Sequence, residues 1–131
     1  MLARRRPAEP TGDQSGNELA TPDLTLDPSG CAVITLHGEQ DIYTVVATRC
    51  LVLEGIRVGH GHVIIDLTAV TFADSSLLGS LALAIKVARK TNGSVRLVSR
   101  DERLISKLKI TGMARLFPLF PALPDALAVA L

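Results

Sequence analysis

Tryptophan is missing from the 131 residues, and three phenylalanines and one tyrosine are all the aromatic side chains present. Charge of one sign is missing as well: fourteen Lys and Arg against thirteen Asp and Glu leave a formal net charge of +1. A chain with neither a strong positive field nor rings to stack on is poorly equipped to hold a polyanionic backbone or splayed bases, so nucleic acid is excluded as the expected partner. Cysteine is scarce. Cys31 and Cys50 stand in apolar contexts without C-x-x-C spacing, which argues against a disulfide scaffold, and both are expected to be reduced and buried. Long apolar runs are lacking: none approaches the roughly 18 residues of a membrane span. The start, MLARRRPAEP, passes from its arginines straight into proline and glutamate, so no signal-type apolar stretch is read there and a cytoplasmic location is expected.

What the chain has is aliphatic bulk. Hydrophobic residues make up 47% of it, mostly Leu, Val, Ala and Ile, and the length fits one domain around one core. Residues 1–22 hold Pro7, Pro10, Gly12, Gly16 and Pro22 among polar side chains, too little apolar surface to offset the entropy of ordering them. They are expected to form a disordered tail, with Arg4, Arg5 and Arg6 balanced by Glu9, Asp13 and Glu18. The domain is expected over 23–131.

Leu24 and Leu26, the Asp27-Pro28-Ser29-Gly30 turn and CAVITL (Cys31–Leu36) read as an antiparallel hairpin. After His37-Gly38-Glu39-Gln40-Asp41, the spacing predicts a helix over Tyr43–Gly55 with Val45 or Val46, Cys50, Leu51 and Leu53 inward and Gly55 as its stop. VIIDL (Val63–Leu67) is a continuous β-branched run suited to a central strand covered on both faces. A helix to about Lys90 follows, with Leu78, Leu81, Ala82, Ile85 and Ala88 inward. SVRLV (Ser94–Val98) is a strand, and Glu102–Ile110 a short helix with Leu104, Ile105 and Leu108 inward. Leu116–Phe120 can be a strand only at a sheet edge, because Pro118 has no N–H to donate. A last helix starts near Pro124. The order β-β-α-β-α-β-α-β-α predicts an α/β fold: one mixed sheet of about five strands, antiparallel at its start and then parallel, with about four helices.

The chemistry concentrates in FADSSLLG, residues 72–79. Asp74-Ser75-Ser76 before an apolar run reads locally as a helix cap, since a short side-chain oxygen there satisfies an orphaned backbone N–H. One capping residue suffices, however, and two serines behind an aspartate exceed the need. The wider segment DLTAVTFADSSLLG (Asp66–Gly79), together with Gly38-Glu39-Gln40-Asp41 and the terminal LFPLFPALPDAL, resembles the STAS domain, and within it the anti-sigma factor antagonists. Their signature has a strand ending in Asp-Leu, a short loop, and Asp-Ser-Ser or Asp-Ser-Thr followed by Gly-Leu-Gly at a helix start. The resemblance covers about Asp23 to Leu131.

It implies the STAS fold and a protein-binding switch. An anti-sigma factor that is also a serine kinase would phosphorylate Ser75, and a PP2C-type phosphatase would remove the phosphate. The unmodified form would bind the kinase and thereby release a sigma factor. Ser75 is thus the expected phosphorylation site, and Asp41, Asp74, Ser75, Ser76, Leu77 and Gly79 the expected partner-binding residues. Gly38 would let the loop before Asp41 turn tightly. Two residues depart from the family pattern: Leu77 replaces a glycine and is expected either to be buried or to touch the partner, and Gln40 replaces a leucine.

Enzymatic activity is not expected, because Ser75 lies in neither G-x-S-x-G nor S-x-x-K. No cofactor is expected. His60 and His62, in GHGH, form an H-x-H pair without a clear third ligand, so no metal site is expected either. A second reading keeps the fold without the switch: a STAS scaffold, or a separate subunit of a regulatory or transport complex.

Overall fold

The computed structural model describes residues 23–129; the tail expected over 1–22, with its arginine triplet, lies outside them. The elements are β1 (Asp23–Leu26), β2 (Ala32–Gln40), α1 (Val45–Val58), β3 (His62–Ala73), α2 (Ser75–Arg89), β4 (Ser94–Val98), α3 (Glu102–Ile110), a 3-10 turn (Met113–Arg115), β5 (Leu119–Phe120) and α4 (Leu123–Leu127). One five-stranded sheet takes them in chain order, with β1 antiparallel to β2 and every later pair parallel. This is the predicted mixed sheet, and the short strand after Pro118 sits at its edge.

Parallel neighbours in chain order, joined by crossovers of one hand, place α1, α2 and α3 on the same face. Strand parity shows it. Ala32, Ile34, Leu36, Val63, Ile65, Leu67, Val95 and Leu97 point into one apolar cluster with Val52 and Ile56 of α1, Leu81, Ala84 and Ala88 of α2, and Leu104 and Leu108 of α3. The alternate residues Val33, Ile64 and Val98 meet Ala126 of α4 on the opposite face, where buried Arg96 donates from Nη1 to the Ala126 carbonyl at 2.8 Å. Cys31 is buried there, and burial pushes its thiol pKa up. Cys50 is exposed, contrary to the expectation that both cysteines are buried.

Two further differences have physical causes. The first is helix phase. α1 buries Thr48, Val52, Gly55 and Ile56 rather than Val45 or Val46, Cys50 and Leu53; of the expected set only Leu51 packs partly against the core. VVATRCLVLEGI is apolar on so many positions that periodicity alone does not choose a face. Close approach chooses it: a Cβ on Gly55 would stand 2.6 Å from Ile34 Cδ1, so this glycine lets α1 settle on β2, and the helix runs past it to Val58. In α2 the inward set is Leu77, Ser80, Leu81, Ala84 and Ala88; Leu78 and Ile85 are only partly buried, and Ala82 is exposed.

The second difference is strand length. β2 continues past Leu36 to Gln40 and β3 past Leu67 to Ala73, where loops were expected. Pairing of β3 with β4 ends at Asp66 and Val98, so beyond it β2 and β3 run on as a two-stranded ribbon. Thr68, Ala69, Thr71 and Phe72 are exposed along it, so no apolar alternation announces a strand. Gly38 therefore makes no loop turn: it sits in the ribbon at φ +68°, at a register shift between β2 and β3. Gln40 is 4% exposed. Its amide donates to the His37 carbonyl at 3.1 Å and accepts from Thr48 Oγ1 at 2.8 Å, so the polar replacement is satisfied inside the protein.

Candidate functional site

The ribbon delivers two chain segments to one place. Gln40 and Ala73 are register partners, and the Asp74 N–H donates to the Gln40 carbonyl at 3.1 Å, so Asp41 and Asp74 leave the sheet side by side. Each carboxylate then organises a helix start. Asp74 is the N-cap of α2, its Oδ1 accepting the Ser76 N–H at 2.7 Å. Asp41 Oδ1 accepts the N–H groups of Tyr43 and Thr44 at 2.9 and 3.2 Å, while Thr44 Oγ1 accepts the Asp41 N–H at 3.0 Å. This reciprocal turn leads into α1.

With the cap supplied by Asp74, neither serine hydroxyl is needed for it. Ser75 is the first residue of α2, exposed, and its hydroxyl has no hydrogen-bond partner among the described residues. Ser76 contributes its N–H to the cap, and its carbonyl accepts from Ser80 Oγ at 3.1 Å. Leu77, expected either buried or at a partner surface, is 2% exposed and belongs to the core. Gly79 is half-buried, and a Cβ there would lie 2.7 Å from Arg49 Nη2. Arg49, on α1, was not anticipated. It lies 31 residues from Ser80, to whose Oγ its Nε donates at 3.4 Å, and no local motif marks it.

The surface is acidic and partly apolar. Asp41 and Asp74 stand side by side at the ribbon's end, Glu39 is exposed on the strand that leads to it, and the adjoining turn and helix expose Ile42, Val46 and Tyr43, the last at 92%. On the ribbon's other flank Lys107 Nζ donates to the Ala73 carbonyl at 2.7 Å, 5.9 Å from the centre of the Phe72 ring. It borders a groove of about 480 Å³ between Val70–Ala73 and Asp101–Lys107 whose lining stops short of Asp74 and Ser75.

His60 is in the turn before β3 at φ 51°, and His62 Nδ1 lies 3.0 Å from Ser94 Oγ. Among the described residues no three His, Cys, Asp or Glu side chains are grouped to hold a metal ion, and no helix is long and apolar enough to cross a membrane.

Asp74→Ala tests the division of labour between cap and serines. Loss of the capping carboxylate is expected to cost about 1 kcal/mol, since neither serine replaces it. Urea denaturation should show a lower midpoint with an unchanged slope; an unchanged midpoint would mean that a serine hydroxyl takes over the cap.

Residues 25–126 match the family model described as the STAS domain. The chain is 33% identical over 105 residues to the anti-sigma-F factor antagonist RsfB of Mycobacterium tuberculosis, covering 77% of this chain and 82% of that relative. Among solved structures it is similar to an anti-sigma factor antagonist from Mycobacterium paratuberculosis, with TM-score 0.73 and 31% identity over 82% of this chain and 90% of that one. It shares the fold of the Bacillus cell fate determinant SpoIIAA in its phosphorylated form, with TM-score 0.66 and 19% identity over 82% and 96% of the two chains.

Proposed function

This chain belongs to the STAS domain family, and from that we propose that it is an anti-sigma factor antagonist switched by phosphorylation of Ser75. Its partner is an anti-sigma factor with serine kinase activity. The unmodified chain docks through the first turn of α2 and the Asp41 turn, and so frees a sigma factor. Phosphorylation of Ser75 ends that docking, and a PP2C-type phosphatase restores it. The chain itself is a cytoplasmic binding protein and not an enzyme.

One observation carries the reading: the Ser75 hydroxyl is exposed, with no hydrogen-bond partner among the described residues, at the head of a helix that Asp74 already caps. Such a hydroxyl can be modified without unravelling the fold, because the helix start offers a favourable dipole end to an anion. Phosphorylation adds about two negative charges beside Asp41 and Asp74. A partner that has to desolvate this surface then meets both repulsion and the cost of burying charge. Relatives named as anti-sigma factor antagonists supply the class of partner.

The test is incubation with the cognate kinase and ATP, with the modified residue mapped by mass spectrometry. A single phosphate on Ser75 is expected. Phosphate on Ser76 overturns the assignment, and no phosphate on any serine makes the protein a fixed binding module.

A further inference from the structure

Arg49 reaches across from α1 to the first turns of α2. Its Nε donates to Ser80 Oγ at 3.4 Å, and its Nη2 lies 2.7 Å from the point where a side chain on Gly79 would begin. Cα–Cβ bonds of a helix tilt toward its N-terminus, so that point overlooks the turn formed by Ser75 and Ser76. Ser75 precedes Gly79 by four residues, the spacing of stacked neighbours on a helix surface, about 5 to 6 Å apart. Arg49 makes no ion pair among the described residues, whereas Arg57 pairs with Glu54 and Arg103 with Asp101. Arg49, an exposed residue, thus sets its guanidinium against Gly79, which has no side chain and stands one turn along α2 from exposed Ser75.

We infer that Arg49 is the residue that holds the phosphate of phospho-Ser75, and that Gly79 is glycine because any side chain there would displace the guanidinium. The inference rests on the reading of Ser75 as the modified residue and names how the modified state is held. The phosphate folds back over Gly79 and takes two parallel N–H bonds from Arg49, the geometry in which a guanidinium binds phosphate best. Held this way it covers the turn on which the partner docks, instead of standing solvated beside it.

The experiment installs phosphoserine at position 75 of the full chain during synthesis, without a kinase, and follows the second phosphate ionisation by phosphorus NMR. In a free phosphoserine that ionisation has a pKa of about 6. A guanidinium within contact distance favours the dianion and lowers it. The phosphate pKa is expected to lie about half a unit or more below that of Arg49→Gln, with Arg49→Lys between them. Gly79→Ala keeps the arginine but puts a methyl group where its guanidinium lies, and should raise the phosphate pKa toward the Arg49→Gln value. The same variant should raise the melting temperature of the unmodified protein by a few degrees, because alanine suits a helix interior better than glycine. Asp41 and Asp74 flank this region and are unchanged in all the variants, so the differences report Arg49. Equal phosphate pKa values in the parent and Arg49→Gln overturn the pairing. A larger Arg49-dependent depression for phosphoserine placed at 76 overturns the assignment to Ser75. Because no kinase is involved, a chain that no kinase modifies would sink the switch while this titration still decides the pairing.

Discussion

Ser75→Asp is expected to weaken binding of the anti-sigma partner by about tenfold to a thousandfold, while Ser75→Ala binds as tightly as the unmodified chain. The magnitude follows from where the new charge stands. Like charges brought together at an interface cost several kcal/mol, and each 1.4 kcal/mol is tenfold in affinity, so about 1.4 to 4 kcal/mol spans this range. The carboxylate would join Asp41 and Asp74 on the proposed docking surface. Neither substitution threatens the fold. Asp74 supplies the cap, the Ser75 hydroxyl has no partner to lose among the described residues, and an acidic residue in a first helical turn is mildly favourable, by about 0.3 to 1 kcal/mol. Ser75→Asp should therefore melt at or slightly above the parent temperature while binding weakly. Isothermal titration at two salt concentrations separates the causes: the part of the loss due to exposed repulsion shrinks as salt rises, and the desolvation part does not. Equal affinity of Ser75→Asp and parent would remove the switch from this surface.

The sheet was legible in the sequence because its signals are local. The Asp27–Gly30 turn, the β-branched run Val63–Leu67 and the edge-restricting Pro118 each constrain the backbone at one position, and the topology follows from their order. Helix faces were less legible. α1 and α2 are apolar on more than one side, and their rotation is decided by tertiary contacts such as Gly55 against Ile34. The β2–β3 ribbon has the sequence pattern of two loops because much of it is exposed, so the alternation that marks a half-buried strand is absent. At the site, the acidic pair and the serines could be placed from their motifs. Arg49 could not, since it approaches Gly79 and Ser80 only through the packing of α1 on α2. Gln40 is a bare departure from pattern in the sequence, and only the fold shows Thr48, eight residues on, to be its hydrogen-bond partner.

Leu77→Ala is expected to destabilise the domain by about 2 to 5 kcal/mol, a large share of the roughly 5 to 15 kcal/mol that holds a domain of this size together. Leu77 is 2% exposed and sits in the main core cluster with Leu36, Leu67, Ala73 and Leu81, so truncating it leaves a cavity under the start of α2. The melting temperature should fall by roughly ten degrees or more. Alanine is the cleaner probe than the glycine usual in the family, because glycine would add a helix-propensity penalty of about 1 kcal/mol to the loss of packing. Partner affinity, measured well below the melting transition, should be unchanged. The opposite result, intact stability with weakened binding, would return Leu77 to the interface. The helix itself explains why stability is the expected loss. Successive residues turn by about 100°, so Leu77 points about 200° away from Ser75. With the leucine directed into the core, its bulk adds nothing to the face that carries Ser75, Ser76 and Gly79. The family's glycine can therefore be replaced here without obstructing a docking partner, and the departure at position 77 does not count against a switch at position 75.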